Sequence, residues 1–145
     1  MLKFSFNVLS VGASIDSQTG NLSVFDFIDE VRTPQLPILL QSLIINVGIQ
    51  KLEPNRPFAG QILIHQVAPD GTSGVLAKGD LKISEDQQKM KIVFRFNGMQ
   101  INQFGNYKFV VSILDQNNNK FLESISELDC VKIYQPPTLV KSTLN

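Results

Sequence analysis

Apolar and polar residues alternate in short runs along most of this chain. Met90, Ile92, Phe94 and Phe96 alternate with Lys89, Lys91 and Arg95, while Phe4, Phe6 and Val8 alternate with Lys3, Ser5 and Asn7. Two is the side-chain period of a β-strand, so one face of each run packs and the other stays wet. On this pattern Phe4, Phe6 and Val8 share one face of the first strand.

The first strand is expected over Leu2 to Val11. Ser17-Gln18-Thr19-Gly20-Asn21 is a turn cluster that opens a second strand, Leu22 to Ile28. Leu22, Val24 and Ile28 point one way in it, Phe25 and Phe27 the other. Asp29 to Pro37 reads as extended and irregular, because Pro34 and Pro37 remove two backbone donors. Ile38 to Leu52 reads as a strand, since Ile44, Ile45, Val47 and Ile49 are β-branched and Gly48 weakens a helix; a short helical turn before it is the alternative.

The next strand is Phe58 to Val67. Pro69-Asp70-Gly71 then forms a turn, and Val75 to Ile83 follows as an edge strand, because Gly79 and Asp80 interrupt it. Met90 to Phe96 is the most regular run. Asn97 to Phe104 links it to Tyr107 through Leu114, and Phe121 to Tyr134 holds the last strand or two. About eight closely spaced strands without a long helix predict an all-β fold: an antiparallel two-sheet β-sandwich, immunoglobulin-like or a related Greek key. Residues 1–134 form one domain on this reading, and residues 135–145 a flexible C-terminal tail that opens at Gln135-Pro136-Pro137.

Composition adds restraint. The chain has 145 residues, enough for one domain with a real core, and 43% of them are apolar. Thirteen basic residues balance thirteen acidic ones. No net field favours nucleic acid or an acidic membrane surface. Charged residues are 18%, and twelve Gln and eleven Asn fill the gap. Amides suit the turns of loop-rich β-proteins and also suit hydrogen bonding to sugars. Cys130 is the only cysteine, so no intrachain disulfide forms, which fits a reducing compartment. Phe4-Ser5-Phe6-Asn7 lacks the continuous apolar run of a secretion signal, and Leu36 to Ile49 is too short and too polar to span a bilayer. The expected setting is the cytoplasm.

Candidate chemistry is sparse. A nucleophile–histidine arrangement must use His65, the only histidine, which stands in a strand among Ile62, Leu63, Ile64 and Val67. It reads as structural, as does Cys130 between Leu128 and Val131. One His and one Cys do not make a structural zinc site. Asp115, Asn117 and Asn119 copy the first ligand positions of a calcium loop, but Lys120 replaces its Gly and Ser126 its bidentate Glu; a hairpin loop is the reading. The acidic residues Asp16, Asp29, Glu30, Asp70, Glu85 and Asp86 sit near turns without a pattern that assigns a metal. Lys89, Lys91 and Arg95 share one strand face with no interleaved aromatics and read as a solvated outer face. The glycines make no phosphate loop. No catalytic, cofactor-binding or metal residue is assigned.

Gly105-Asn106-Tyr107-Lys108-Phe109 carries more structural meaning. Its order matches the penultimate strand of immunoglobulin-like sandwiches, where a Tyr hydroxyl pins a corner. Phe94, Phe96, Tyr107 and Phe109 are expected in the core. Together with Gly20 to Ile28, Pro69-Asp70-Gly71 and Phe94-Arg95-Phe96, this order resembles a family of uncharacterised bacterial β-sandwich domains, a domain of unknown function, over Gly20 to Tyr134. The resemblance implies the fold and a bacterial cytoplasmic setting, and it transfers no catalytic residue.

The function that follows is a non-enzymatic interaction or accessory module. The alternative is a small-molecule or carbohydrate binder that uses the loop amides Asn55, Asn102, Gln103 and Asn117 to Asn119. The expected association is a homodimer, or docking to a protein partner, through an edge strand or an apolar patch near the N-terminus; Leu2 to Val11 has no Pro and only Lys3 as a charge. The opposing possibility is a monomer whose first strand is buried between neighbours.

Overall fold

A computed structural model describes residues 1–134; the expected tail, residues 135–145, lies outside the described residues. The described residues form nine strands: β1 (Leu2–Ile15), β2 (Leu22–Phe27), β3 (Glu30–Thr33), β4 (Ile38–Lys51), β5 (Phe58–Val67), β6 (Ser73–Ile83), β7 (Lys89–Ile101), β8 (Gly105–Leu114) and β9 (Lys120–Lys132). They make two sheets, ordered β2-β1-β4-β7 and β3-β9-β8-β5-β6. No helix occurs among the described residues, and β4 is extended from Ile38 without a helical turn before it.

The all-β, two-sheet reading is therefore correct at that level, with nine strands rather than about eight. The additional strand is β3, inside the stretch expected to be irregular. It ends just before Pro34 and pairs with β9 in parallel, Glu30 opposite Asp129 and Thr33 opposite Lys132. The other strand pairs are antiparallel. β7 also runs beyond its expected end at Phe96. Gly98 adopts φ 81°, a left-handed conformation open to glycine, and the strand continues to Ile101. The last stretch is one strand, β9. β6 is an edge, as its Gly79 and Asp80 predicted.

One cluster of buried side chains draws on both sheets. Leu43, Ile45, Val47 and Ile49 of β4 meet Ile62 and Ile64 of β5, Phe109, Val111 and Ile113 of β8, and Leu128 of β9. Each such aliphatic side chain contributes about 1.5–3 kcal/mol on full burial. Tyr107 and Phe109 are in this core, and Phe94 and Phe96 pack against it from β7.

The first strand departs from simple alternation. Its register on β4 shifts between Phe4 and Phe6. Phe4 lies opposite Ile49 and packs on the core, whereas Phe6 lies opposite Gly48 on the other face. A Cβ at Gly48 would collide with the Phe6 ring, so the glycine accommodates it. The bulge also turns Asn7 inward, where its Nδ2 donates to Ser124 Oγ of β9 at 3.2 Å. Phe4, Phe6 and Val8 thus do not share a face, because the extra residue of a bulge reverses the pleat.

β1 is not a sheet edge either; it lies between β2 and β4. Beyond Ser10 it continues with β2 as a hairpin lying against the outer side of β4 and β7. Lys91 Nζ donates to Gly20 O at 3.1 Å, Arg95 Nη2 to Ala13 O at 2.8 Å, and Ser42 Oγ to Val11 O at 2.9 Å. The face expected to be merely solvated is thus partly roofed. Asn46, on the side of β4 away from the core, is 0% exposed, and its Nδ2 donates to Ser10 Oγ at 2.9 Å and to Val8 O at 3.2 Å.

Candidate functional site

The sequence candidates scatter over the fold. Cys130 is buried in β9, and desolvation pushes its thiol pKa above the ordinary value. Asp115 Oδ1 accepts the backbone N–H groups of Asn117 and Asn119, both at 2.9 Å, so this carboxylate oxygen organises the β8–β9 hairpin turn. Among the described residues no group of three or more His, Cys, Asp or Glu side chains is placed to hold a metal ion.

The amides divide between the two ends of the molecule. Asn55 and Asn117 to Asn119 lie on the β4–β5 and β8–β9 connections at one end, while Asn102 and Gln103 lie on the β7–β8 corner at the other. At this second end Tyr107 Oη accepts the backbone N–H groups of Gln103 at 3.0 Å and Asn102 at 3.3 Å. Gln103 Oε1 in turn accepts Asp70 N–H at 3.1 Å, tying this corner to the β5–β6 turn.

The first end holds a cleft of about 460 Å³. Phe58 and Phe121 line it with ring centroids 5.7 Å apart, beside Arg56, Asp115 and Asn117. Its charges are largely occupied. Glu53 pairs with Arg56 at 2.9 Å and with the terminal amine at 3.3 Å, and the hydrogen bonds from these groups hold its carboxyl below the usual value. Lys51 is buried and donates to the carbonyls of Ser84 at 2.6 Å and Glu85 at 3.1 Å, closing the β6–β7 turn over the end of β4.

The other candidate is the outer face of the five-stranded sheet. His65 pairs with Val75 on β6 and Val110 on β8, and Val110 with Ile125 on β9. These four residues form one row across four strands, on the face opposite the core residues Ile64, Val111 and Phe109. Val75 is 67% exposed and Ile125 48%, while Val110 in the middle is nearly covered. On one side the next row is Lys78, Leu63, Ser112 and Glu123; on the other it is Ser73, Val67, Lys108 and Glu127. The result is a row of three apolar residues and a histidine, exposed at its Val75 and Ile125 ends and bordered by charges. His65 belongs to this row and faces outward from β5. Sequence reading missed the row because its members lie far apart in the chain; Ile125 between Ser124 and Ser126 was the only local signal.

Residues 6–122 match the model of a family of unknown function, DUF6941, and the chain belongs to that family. No match was found among curated proteins.

Proposed function

We propose that this member of DUF6941 is a non-enzymatic interaction module on an immunoglobulin-like sandwich or a related Greek key, docking a protein on the outer face of its five-stranded sheet. The fold assignment is supported by the hydroxyl of Tyr107, which accepts backbone donors a few residues upstream at the start of the penultimate strand, as a tyrosine corner does. The observation that carries the interaction reading is the row Val75, His65, Val110 and Ile125, with Val75 and Ile125 exposed. These two stand at the ends of the row, with charged residues in the rows on either side, and apolar positions rimmed by charge are a mark of interaction surfaces. A cytoplasmic setting accords with the free, buried Cys130.

A second reading is a small-molecule or carbohydrate site at the loop end. It is favoured by the Phe58 and Phe121 rings beside Arg56, Asp115 and Asn117, a combination of apolar faces and orienting polar groups. Of the loop amides expected to bind, Asn117 lines this cleft, with Gln116 beside it; Asn102 and Gln103 belong to the opposite end.

Photo-cross-linking in the source cells separates the two. A photoreactive residue replacing Ile125 is expected to capture a defined protein, while one replacing Lys89, on β7 of the other sheet, captures none. Absence of any protein adduct from position 125, together with a glycan-array signal lost in Arg56→Ala, would replace the first reading by the second.

A further inference from the structure

We infer that the occupant of the outer face of the five-stranded sheet is a second copy of this chain, related to the first by a two-fold axis parallel to the strands. The inference rests on the reading of that face as the docking surface and adds the identity of the partner.

The argument comes from the register. Four successive rows cross from β6 to β9: Asp80, Gln61, Leu114, Lys120; then Lys78, Leu63, Ser112, Glu123; then Val75, His65, Val110, Ile125; then Ser73, Val67, Lys108, Glu127. A two-fold axis in the interface, running along the strands between β5 and β8, lays each row on its own reverse. Asp80 then faces Lys120 of the other copy, Lys78 faces Glu123, Val75 faces Ile125, and Ser73 faces Glu127. His65 meets Val110 near the axis. In these rows no like charges meet, and the exposed Val75 and Ile125 meet each other. Such self-complementarity is what an isologous dimer requires. An axis perpendicular to the strands would instead bring β6 over β6 and β9 over β9. The Lys120–Glu123 ion pair within one copy, 2.7 Å, would join the cross-copy charges in a small network.

Addition of a strand at a sheet edge is the less favourable mode. The β2 edge is six residues long and has Asp26 at φ 56°; β3 has four residues. The β6 edge carries Lys78, Asp80 and Lys82, and β7 carries Lys89, Lys91 and Arg95. Short strands, charges and local kinks blunt edges against pairing.

Size sets the expected strength. Three strand spacings of about 4.8 Å and six residues of about 3.4 Å rise give a patch about 14 Å by 20 Å between its outer backbone positions. That is about 280 Å² per copy before the side chains around its margin are added, smaller than the ~800 Å² per partner of a standard interface, so the dimer should be weak and depend on concentration.

Sedimentation equilibrium of the full chain across a concentration series tests this. Wild type is expected to move from the chain mass to twice that mass. Lys78→Glu alone and Glu123→Lys alone should each weaken the dimer about tenfold or more, and the two together should recover most of the loss. Ile125→Lys should give a monomer with an unchanged circular dichroism spectrum. A wild-type monomer at every concentration overturns the second copy, as does a dimer indifferent to all four variants. Photo-cross-linking from position 125 then tells the two proposals apart: an adduct with a different protein leaves the docking face standing, and no adduct removes both.

Discussion

Tyr107→Phe removes one oxygen and leaves the ring in place. Tyr107 is buried, and its hydroxyl is the acceptor for two backbone donors, Gln103 N at 3.0 Å and Asn102 N at 3.3 Å. The ring keeps its packing against the core, so little of the cost is a cavity. A single hydrogen bond contributes about 0.5–1.5 kcal/mol net, and a buried donor left without an acceptor costs about 1–3 kcal/mol. Two donors set an upper limit near the sum of two such penalties. The corner, however, borders an open cleft of about 280 Å³ lined by Asn102, Gln103 and Tyr107, so water can reach at least one N–H. The 3.3 Å bond is also the longer and weaker of the two. The expected loss is about 1.5–3 kcal/mol. Urea unfolding followed by circular dichroism measures it, with an unchanged slope indicating that the unfolded state is unaffected. Tyr107→Ala, which also empties the ring site, should lose about 3–5 kcal/mol, as large aromatic deletions in cores do. A Tyr107→Phe loss below about 0.5 kcal/mol, a change typical of an indifferent surface site, would refute the pinned corner.

Three further expectations follow from single sites. Gly60→Ala places a Cβ against the carbonyl oxygen of Leu114 on the neighbouring strand, a backbone atom that cannot swing away; it should destabilise the fold more than Gly79→Ala, where a Cβ meets open space, with thermal unfolding as the readout. The Cys130 thiol, buried with its pKa raised by desolvation, should react with a thiol reagent slowly in the native protein and rapidly after unfolding, and fast native labelling would contradict its placement. The Asp70 carboxyl pKa is lowered chiefly by the Thr72 N–H and Thr72 hydroxyl that its Oδ1 accepts, at 2.9 and 2.7 Å. A carboxyl with a lowered folded-state pKa contributes stability above its unfolded value and loses it as pH falls through the folded value. Asp70→Asn should therefore narrow the gap to wild type in acid, and a gap that widens on acidification would contradict the sign.

Much of the fold could be read from alternation and turn chemistry. Met90 to Phe96 declares a strand locally, and Tyr107 after Gly105 marks the corner that the hydroxyl then closes. What escaped reading depended on partners distant in sequence. The bulge after Phe4 occurs in a run whose alternation is otherwise perfect, and only Gly48, forty-odd residues away, makes room for Phe6. β3 is four residues between Asp29 and Pro34, and it becomes a strand because β9 supplies the ladder. The roofed face of β7 was hidden because Lys91 and Arg95 look solvated until the β1–β2 hairpin offers its carbonyls. The outer-face row was hidden most completely: Val75, His65, Val110 and Ile125 become neighbours only through three strand registers.

Disulfide trapping tests the proposed docking face most directly. Val75→Cys and Ile125→Cys are made in separate chains, each also carrying Cys130→Ser, and the two are mixed under mild oxidation. The two-fold axis parallel to the strands predicts rapid cross-linking between position 75 of one copy and position 125 of the other, with little product from either variant alone. Equal or faster cross-linking of each variant to itself, or no cross-linked product from the mixture at concentrations where wild type is a dimer, would contradict it.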